Sequence, residues 1–143
     1  MAPPSHSSDR SDTSTGEHWL DQYAHVPILL VLAAYTCWTR VGGWRRFVAD
    51  GQVLFQSNDA WYHYRQVSYT VGHFPRTMPF DPWTAYPTGT DVGQFGTIFD
   101  QAVALAALAL GAGSPNETTV ALVLLFTPAV LGTLVAVPTY VLG

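Results

Sequence analysis

Asp59, His63 and Arg65 are the residues of this chain best placed to do chemistry. They lie in Ser57-Asn58-Asp59-Ala60-Trp61-Tyr62-His63-Tyr64-Arg65, a polar stretch between apolar runs. A carboxylate there can bind a hard divalent cation such as Mn2+ or Mg2+. Such a cation neutralises phosphate charge or polarises a substrate oxygen. One carboxylate does not fill an octahedral site, so further oxygens are needed. Following Ser57-Asn58, Asp59 also suits the cap of a helix. His63 comes four residues after Asp59 and projects from nearly the same helix face. It can serve as a second ligand, as a hydrogen-bonding orienter, or as a packed polar residue among aromatics. Arg65 can pair with Asp59, grip the anionic group of a lipid phosphate, or form a plain structural salt bridge.

Three further acids are within reach of such a site. Asp81, between Phe80 and Pro82, suits a turn. Asp91 is expected in solvent. Asp100 opens an apolar run, where an acid faces protein, a water-filled cavity or the interface.

The elements that must position these residues are read from hydropathy. Residues 1–22 form a polar tail, expected to be disordered, with no cationic start of a secretory signal. A first apolar run with semi-polar flanks, 23–42, predicts a transmembrane helix, since about 20 residues span a hydrocarbon core. Residues 43–96 form a large loop rich in aromatics. Trp44 to Phe55 is expected as an amphipathic helix at the membrane interface, where Trp and Tyr collect. A short helix is predicted from Ala60 to about Gly72, ended by Phe74-Pro75. Met78 to Pro82 is expected extended, and Tyr86-Pro87-Thr88-Gly89 to turn. Residues 97–112 and 118–142 predict second and third transmembrane helices; Pro128 and Pro138 are tolerable there. The fold class is therefore an all-α polytopic membrane protein. Asn116-Glu117-Thr118 has the acceptor pattern for N-glycosylation, but it sits in a tight turn between membrane helices and is taken as chance.

Composition agrees with a membrane. Of 143 residues, 48% are hydrophobic and 11% charged, against about 25% charged in soluble domains. All six basic residues are arginines, against ten acids. A lysine-free, acid-leaning chain suggests a high-salt organism, a halophile. No basic stripe exists to displace counterions, which excludes a nucleic-acid partner. Cys37 is the single cysteine, expected buried, and precludes an intrachain disulfide. The arginines cluster in the loop, so the positive-inside rule taken alone puts that loop in the cytoplasm; its length nears the limit where the rule weakens.

The polar stretch resembles the first acidic motif of the catalytic subunit of oligosaccharyltransferase in its archaeal form. That motif reads Asp, a small residue or Pro, two aromatics, His or Asn, one variable residue, then Arg. Phe80-Asp81-Pro82-Trp83-Thr84-Ala85-Tyr86-Pro87-Thr88-Gly89 is similar to a later segment of that family's first external loop. Gly93-Gln94-Phe95-Gly96-Thr97-Ile98-Phe99-Asp100 resembles the start of its second membrane helix. The resemblance covers about residues 20 to 143.

The resemblance implies the N-terminal part of a C-type (GT-C) glycosyltransferase fold. It implies en bloc transfer of a glycan from a dolichol phosphate or pyrophosphate carrier to asparagine in Asn-X-Ser/Thr, with a divalent metal, Mn2+ or Mg2+. The expected partners are a dolichol-phosphate-linked oligosaccharide, an acceptor protein sequon and the lipid bilayer. The large loop is then extracellular, against the arginine count. Asp59 is implied as the catalytic residue, a metal ligand whose carboxylate also contacts the acceptor asparagine amide; beside it, His63 and Arg65 are expected to bind substrate. The family's second acidic motif, its later glutamate loop and its Trp-Trp-Asp-type motif lie beyond position 143 in longer members, so activity of this polypeptide alone is not expected. Two other readings stand beside this one. One is a different polyprenyl-phosphosugar-dependent glycosyltransferase of the same fold; the other is a small non-enzymatic membrane scaffold.

Overall fold

A computed structural model describes residues 23–142. The tail expected over 1–22 lies outside the described residues. The described residues hold five α-helices: α1 His25–Val41, α2 Asn58–His73, α3 Ile98–Leu110, α4 Glu117–Leu134 and α5 Ala136–Leu142. Two small antiparallel hairpins, β1 Val48–Ala49 with β2 Gln52–Val53 and β3 Phe80–Asp81 with β4 Thr90–Asp91, fill the loop.

α1 forms from the first apolar run. Pro27 sits in its first turn, where no intrahelical N–H is needed. None of its residues is buried, and Ile28, Leu30 and Val31 are well exposed. An apolar helix bare on most sides is suited to lipid rather than water. Together with the 3₁₀ turn Trp44–Phe47 it makes a 23-residue candidate span, about 35 Å long at 1.5 Å per residue. Glu117–Leu142 makes a second, of 26 residues. Pro138 offers no N–H to the Leu134 carbonyl, which accounts for the break between α4 and α5. Inside α4, the hydroxyls of Thr127 and Thr133 bond back to the Val123 and Ala129 carbonyls around Pro128.

α3 is the shorter apolar helix. Its 13 residues rise about 20 Å, less than the roughly 30 Å of a hydrocarbon core. α3 and α1 both pack along α4, and their stretches overlap near Phe126. Leu110 and Thr119 line one end of a shared groove whose other end holds Ile98 and Leu131. α1 meets the far half of α4 and α5: Trp44 packs on Phe126, and His25 stacks on Tyr140 at 4.9 Å. These pairings make α1 antiparallel to α4–α5.

The core lies where α2, α3 and α4 meet. Val67, Val103, Ala104, Ala107, Val120 and Leu124 are its buried members, with Phe55, Tyr64 and Phe99 packed against them. Two alanines on α3 leave room for close helix approach. α4 starts at Asn116, whose Oδ1 accepts from the Thr119 N–H at 2.8 Å and the Thr119 hydroxyl at 2.9 Å.

The amphipathic helix expected over Trp44 to Phe55 is corrected to a 3₁₀ turn and a hairpin. Asp50 (φ 51°) and Gly51 (φ 75°) both take positive φ between β1 and β2. That is the two-residue turn that Asp-Gly favours, because its twist matches the flanking strands. Cys37, expected buried, is partly exposed.

Candidate functional site

The site is built on α2. Ser57, extended at φ −118°, is its N-cap, and Ser57 Oγ accepts from the Ala60 N–H at 3.3 Å. Asp59 is therefore two residues too late to cap and sits in the first turn instead. A carboxylate is favourable there because the unpaired N–H groups carry partial positive charge. The indole N–H of Trp61 donates to the Phe55 carbonyl at 2.8 Å and fixes the approach to the helix.

Two buried acids hold α2 in place. Asp100, in the first turn of α3, is 1% exposed, and His63 Nδ1 lies 2.7 Å from its Oδ1. That bond raises the His63 pKa above the ordinary histidine value, against the opposing effect of burial. The ring also packs edge-on against Phe99. Asp81, in β3, is 0% exposed. Arg65 Nη2 donates to its Oδ2 at 2.6 Å and Arg65 Nε to its Oδ1 at 3.3 Å. The Trp83 N–H and the Thr84 hydroxyl complete the set at 3.0 and 2.8 Å. Burial pushes the Asp81 pKa up, but the bonds from Arg65, Thr84 and Trp83 outweigh it and hold the carboxyl below its usual range. Tyr62, beside this pair of acids, is raised by burial first and then by the charges of Asp100 and Asp81.

Asp59, His63 and Arg65 all line one cavity of about 640 Å³, with Tyr62, Trp83 and Phe95 around them. The volume suits a ligand. Asp59 is exposed and has no ion-pair partner among the described residues. The possible pairings of Asp59 with Arg65 or His63 are not formed: Arg65 is taken by Asp81 and His63 by Asp100. Asp81, expected as a turn residue, is the buried counter-ion of the site. Its weight is missed from local sequence because Arg65 lies 16 positions away. The one local signal for Asp100 is an acid at the head of an apolar run.

The chain offers little to a metal by itself. Among the described residues no group of three or more His, Cys, Asp and Glu side chains comes together to hold an ion. Asp59 supplies one free hard-oxygen ligand; Asp81 is spent on Arg65, and Asp100 holds His63 through Oδ1 while its Oδ2 is buried without a partner among the described residues. The donor set fits one corner of a divalent-cation site, not a whole one.

Residues 29–143 match the family described as oligosaccharyl transferase STT3, N-terminal. The chain belongs to this family. It is 52% identical over 119 residues to the dolichyl-monophosphooligosaccharide–protein glycotransferase AglB of Haloferax volcanii, covering 83% of this chain and 11% of that protein. It is 32% identical over 126 residues to dolichyl-phosphooligosaccharide-protein glycotransferase 3 of Archaeoglobus fulgidus, covering 88% of this chain and 14% of that protein. The chain thus spans a small N-terminal share of these STT3-family relatives. No solved structure matches it.

Proposed function

We propose that this chain is the N-terminal part of a membrane oligosaccharyltransferase. The enzyme takes a glycan from a dolichol phosphate or pyrophosphate carrier and transfers it to asparagine in Asn-X-Ser/Thr. The observation that carries this reading is Asp59: an exposed carboxylate with no ion-pair partner among the described residues, in a cavity, on a helix braced by two buried acids. The names of the two relatives support it.

The chemistry needs such a group. An amide nitrogen is a poor nucleophile because its lone pair is delocalised. Asp59 accepts a hydrogen bond from the acceptor carboxamide and helps turn it out of conjugation. The nitrogen gains a bond to the anomeric carbon and loses one proton to base. The bond from that carbon to the phosphate oxygen breaks, and the oxygen keeps the electron pair. Asp59 would hold one corner of a divalent cation, Mn2+ or Mg2+, which would supply charge neutralisation for the departing phosphate. His63 and Arg65 shape the wall against which the substrate rests. In this reading α1, α3 and α4–α5 all belong to the bilayer, and the loop between α1 and α3 faces the cell exterior.

The test is Asp59→Ala in the full-length enzyme, assayed for glycan transfer to an Asn-X-Thr peptide. Loss of transfer with normal membrane insertion is expected; retained transfer would refute the role.

A further inference from the structure

The cavity beside Asp59 has an aromatic wall that the chemistry above does not use. Trp83 is 66% exposed and Tyr86 76% exposed, unusual for such large rings unless something covers them. The two rings stack on one another, with centroids 6.4 Å apart and planes 17° apart. Trp83 lines the cavity with Asp59, and Tyr86 backs it.

This wall is held, not loose. The Trp83 N–H and the Thr84 hydroxyl both bond to the buried Asp81, and Asp81 is clamped by Arg65 of α2. The loop that carries the rings is thereby tied to the helix that carries Asp59. The same clamp consumes the guanidinium of Arg65, and Asp100 takes His63, so the unpaired charge on the cavity wall is the negative one of Asp59. An anion gains little from this set of groups. A neutral molecule with one apolar face and a rim of hydroxyls fits both sides. Its C–H face lies on the indole, while its hydroxyls donate to Asp59 and exchange hydrogen bonds with Asn58 and Thr84.

We propose that Trp83, backed by Tyr86, forms a sugar subsite beside Asp59 that takes the apolar face of a neutral pyranose. This deepens the transferase reading and rests on it for the source of the sugar, the carried glycan. The competing role for an exposed Trp–Tyr pair in a membrane protein is anchorage at the lipid headgroups.

The test uses the chain in lipid nanodiscs, labelled with 5-fluorotryptophan and followed by fluorine NMR. The probes are methyl α-glucoside, methyl α-mannoside and, separately, inorganic phosphate. The expected result is a saturable shift of the Trp83 resonance with a glycoside and none with phosphate, while Trp38 on α1 stays still. The Trp61 resonance, from the same cavity, reports on the Trp83 variants. Trp83→Ala weakens the response about tenfold or more, and Trp83→Tyr, which keeps an aromatic face, restores it. The proposal is overturned by silence with both glycosides, by a response that survives Trp83→Ala, or by a response to phosphate alone. Broadening of Trp83 by lipids spin-labelled at the headgroup, unrelieved by glycoside, also overturns it in favour of anchorage. A glycoside response with Asp59 dispensable for transfer removes the transferase reading alone. No response with Asp59 essential for transfer removes the sugar subsite alone.

Discussion

His63 Nδ1 lies 2.7 Å from Asp100 Oδ1, across 37 positions of sequence. The bond fixes the helix that presents Asp59 to the first turn of an apolar helix. It also fixes the imidazole, because Nδ1 is committed to the carboxylate and Nε2 is the nitrogen left for other partners.

Removing that carboxylate frees the ring. Asp100→Ala is expected to lower the His63 pKa towards the ordinary histidine range and to cost about 1–3 kcal/mol. Asp100→Asn keeps an acceptor oxygen and costs less. Imidazole titration by NMR and thermal melting in nanodiscs measure the two effects.

Stability should depend on pH at both ends. The folded His63 pKa is raised. Its contribution is therefore complete below the unfolded value of about 6.5 and fades as pH climbs through the raised one. The folded Asp81 pKa is lowered. Its contribution is complete above the unfolded value of about 3.9 and fades as pH falls through the depressed one. Melting temperature against pH should form a plateau between these limbs, and His63→Gln should flatten the alkaline limb alone.

Arg65→Ala strands Asp81, buried and charged, without its partner. The expected loss is about 3–5 kcal/mol. Arg65→Lys keeps the charge but not the two-pronged donor geometry, so it should rescue only part. A double-mutant cycle with Asp81→Asn, read by thermal melting, should give strong coupling.

Asp59 should behave in the opposite way. It is exposed and bonds to no described side chain, so Asp59→Asn should alter stability by about 0.5 kcal/mol or less. Transfer by the full-length enzyme should nevertheless fall steeply. Melting and transfer measured on the same preparation separate the two.

Gly89 takes φ +73°, and a side chain there would collide with the Phe80 ring. Gly89→Ala is expected to cost about 1–3 kcal/mol and to loosen the β3–β4 loop. Hydrogen exchange at Trp83 and Thr84 should rise while that of α3 is unchanged.

Much of the scaffold was legible in advance, because its signals are local. Ser57 ahead of a helix, Phe74-Pro75 behind it and the Tyr86–Gly89 turn are each decided by a few neighbouring residues. The Asp50-Gly51 hairpin was equally local. Aromatics at 44, 47 and 55 mask it, because they imitate a helical stripe. The ion pairs were not legible. Near Arg65 and His63 the sequence offers Asp59, four residues from one and six from the other, whereas the true partners sit 16 and 37 positions on. Only folding of the loop over α2 brings them close. α3 also ends shorter than hydropathy suggested, since Gly111 closes it at Leu110.

The Asn116 carboxamide is already employed at the start of α4, where it holds the Thr119 N–H and hydroxyl. On the transferase reading, Asn116-Glu117-Thr118 would be a target within the enzyme's own sequence. Offering it as a substrate would mean unwinding α4 from its first turn, so the fold would shield such an enzyme from glycosylating itself.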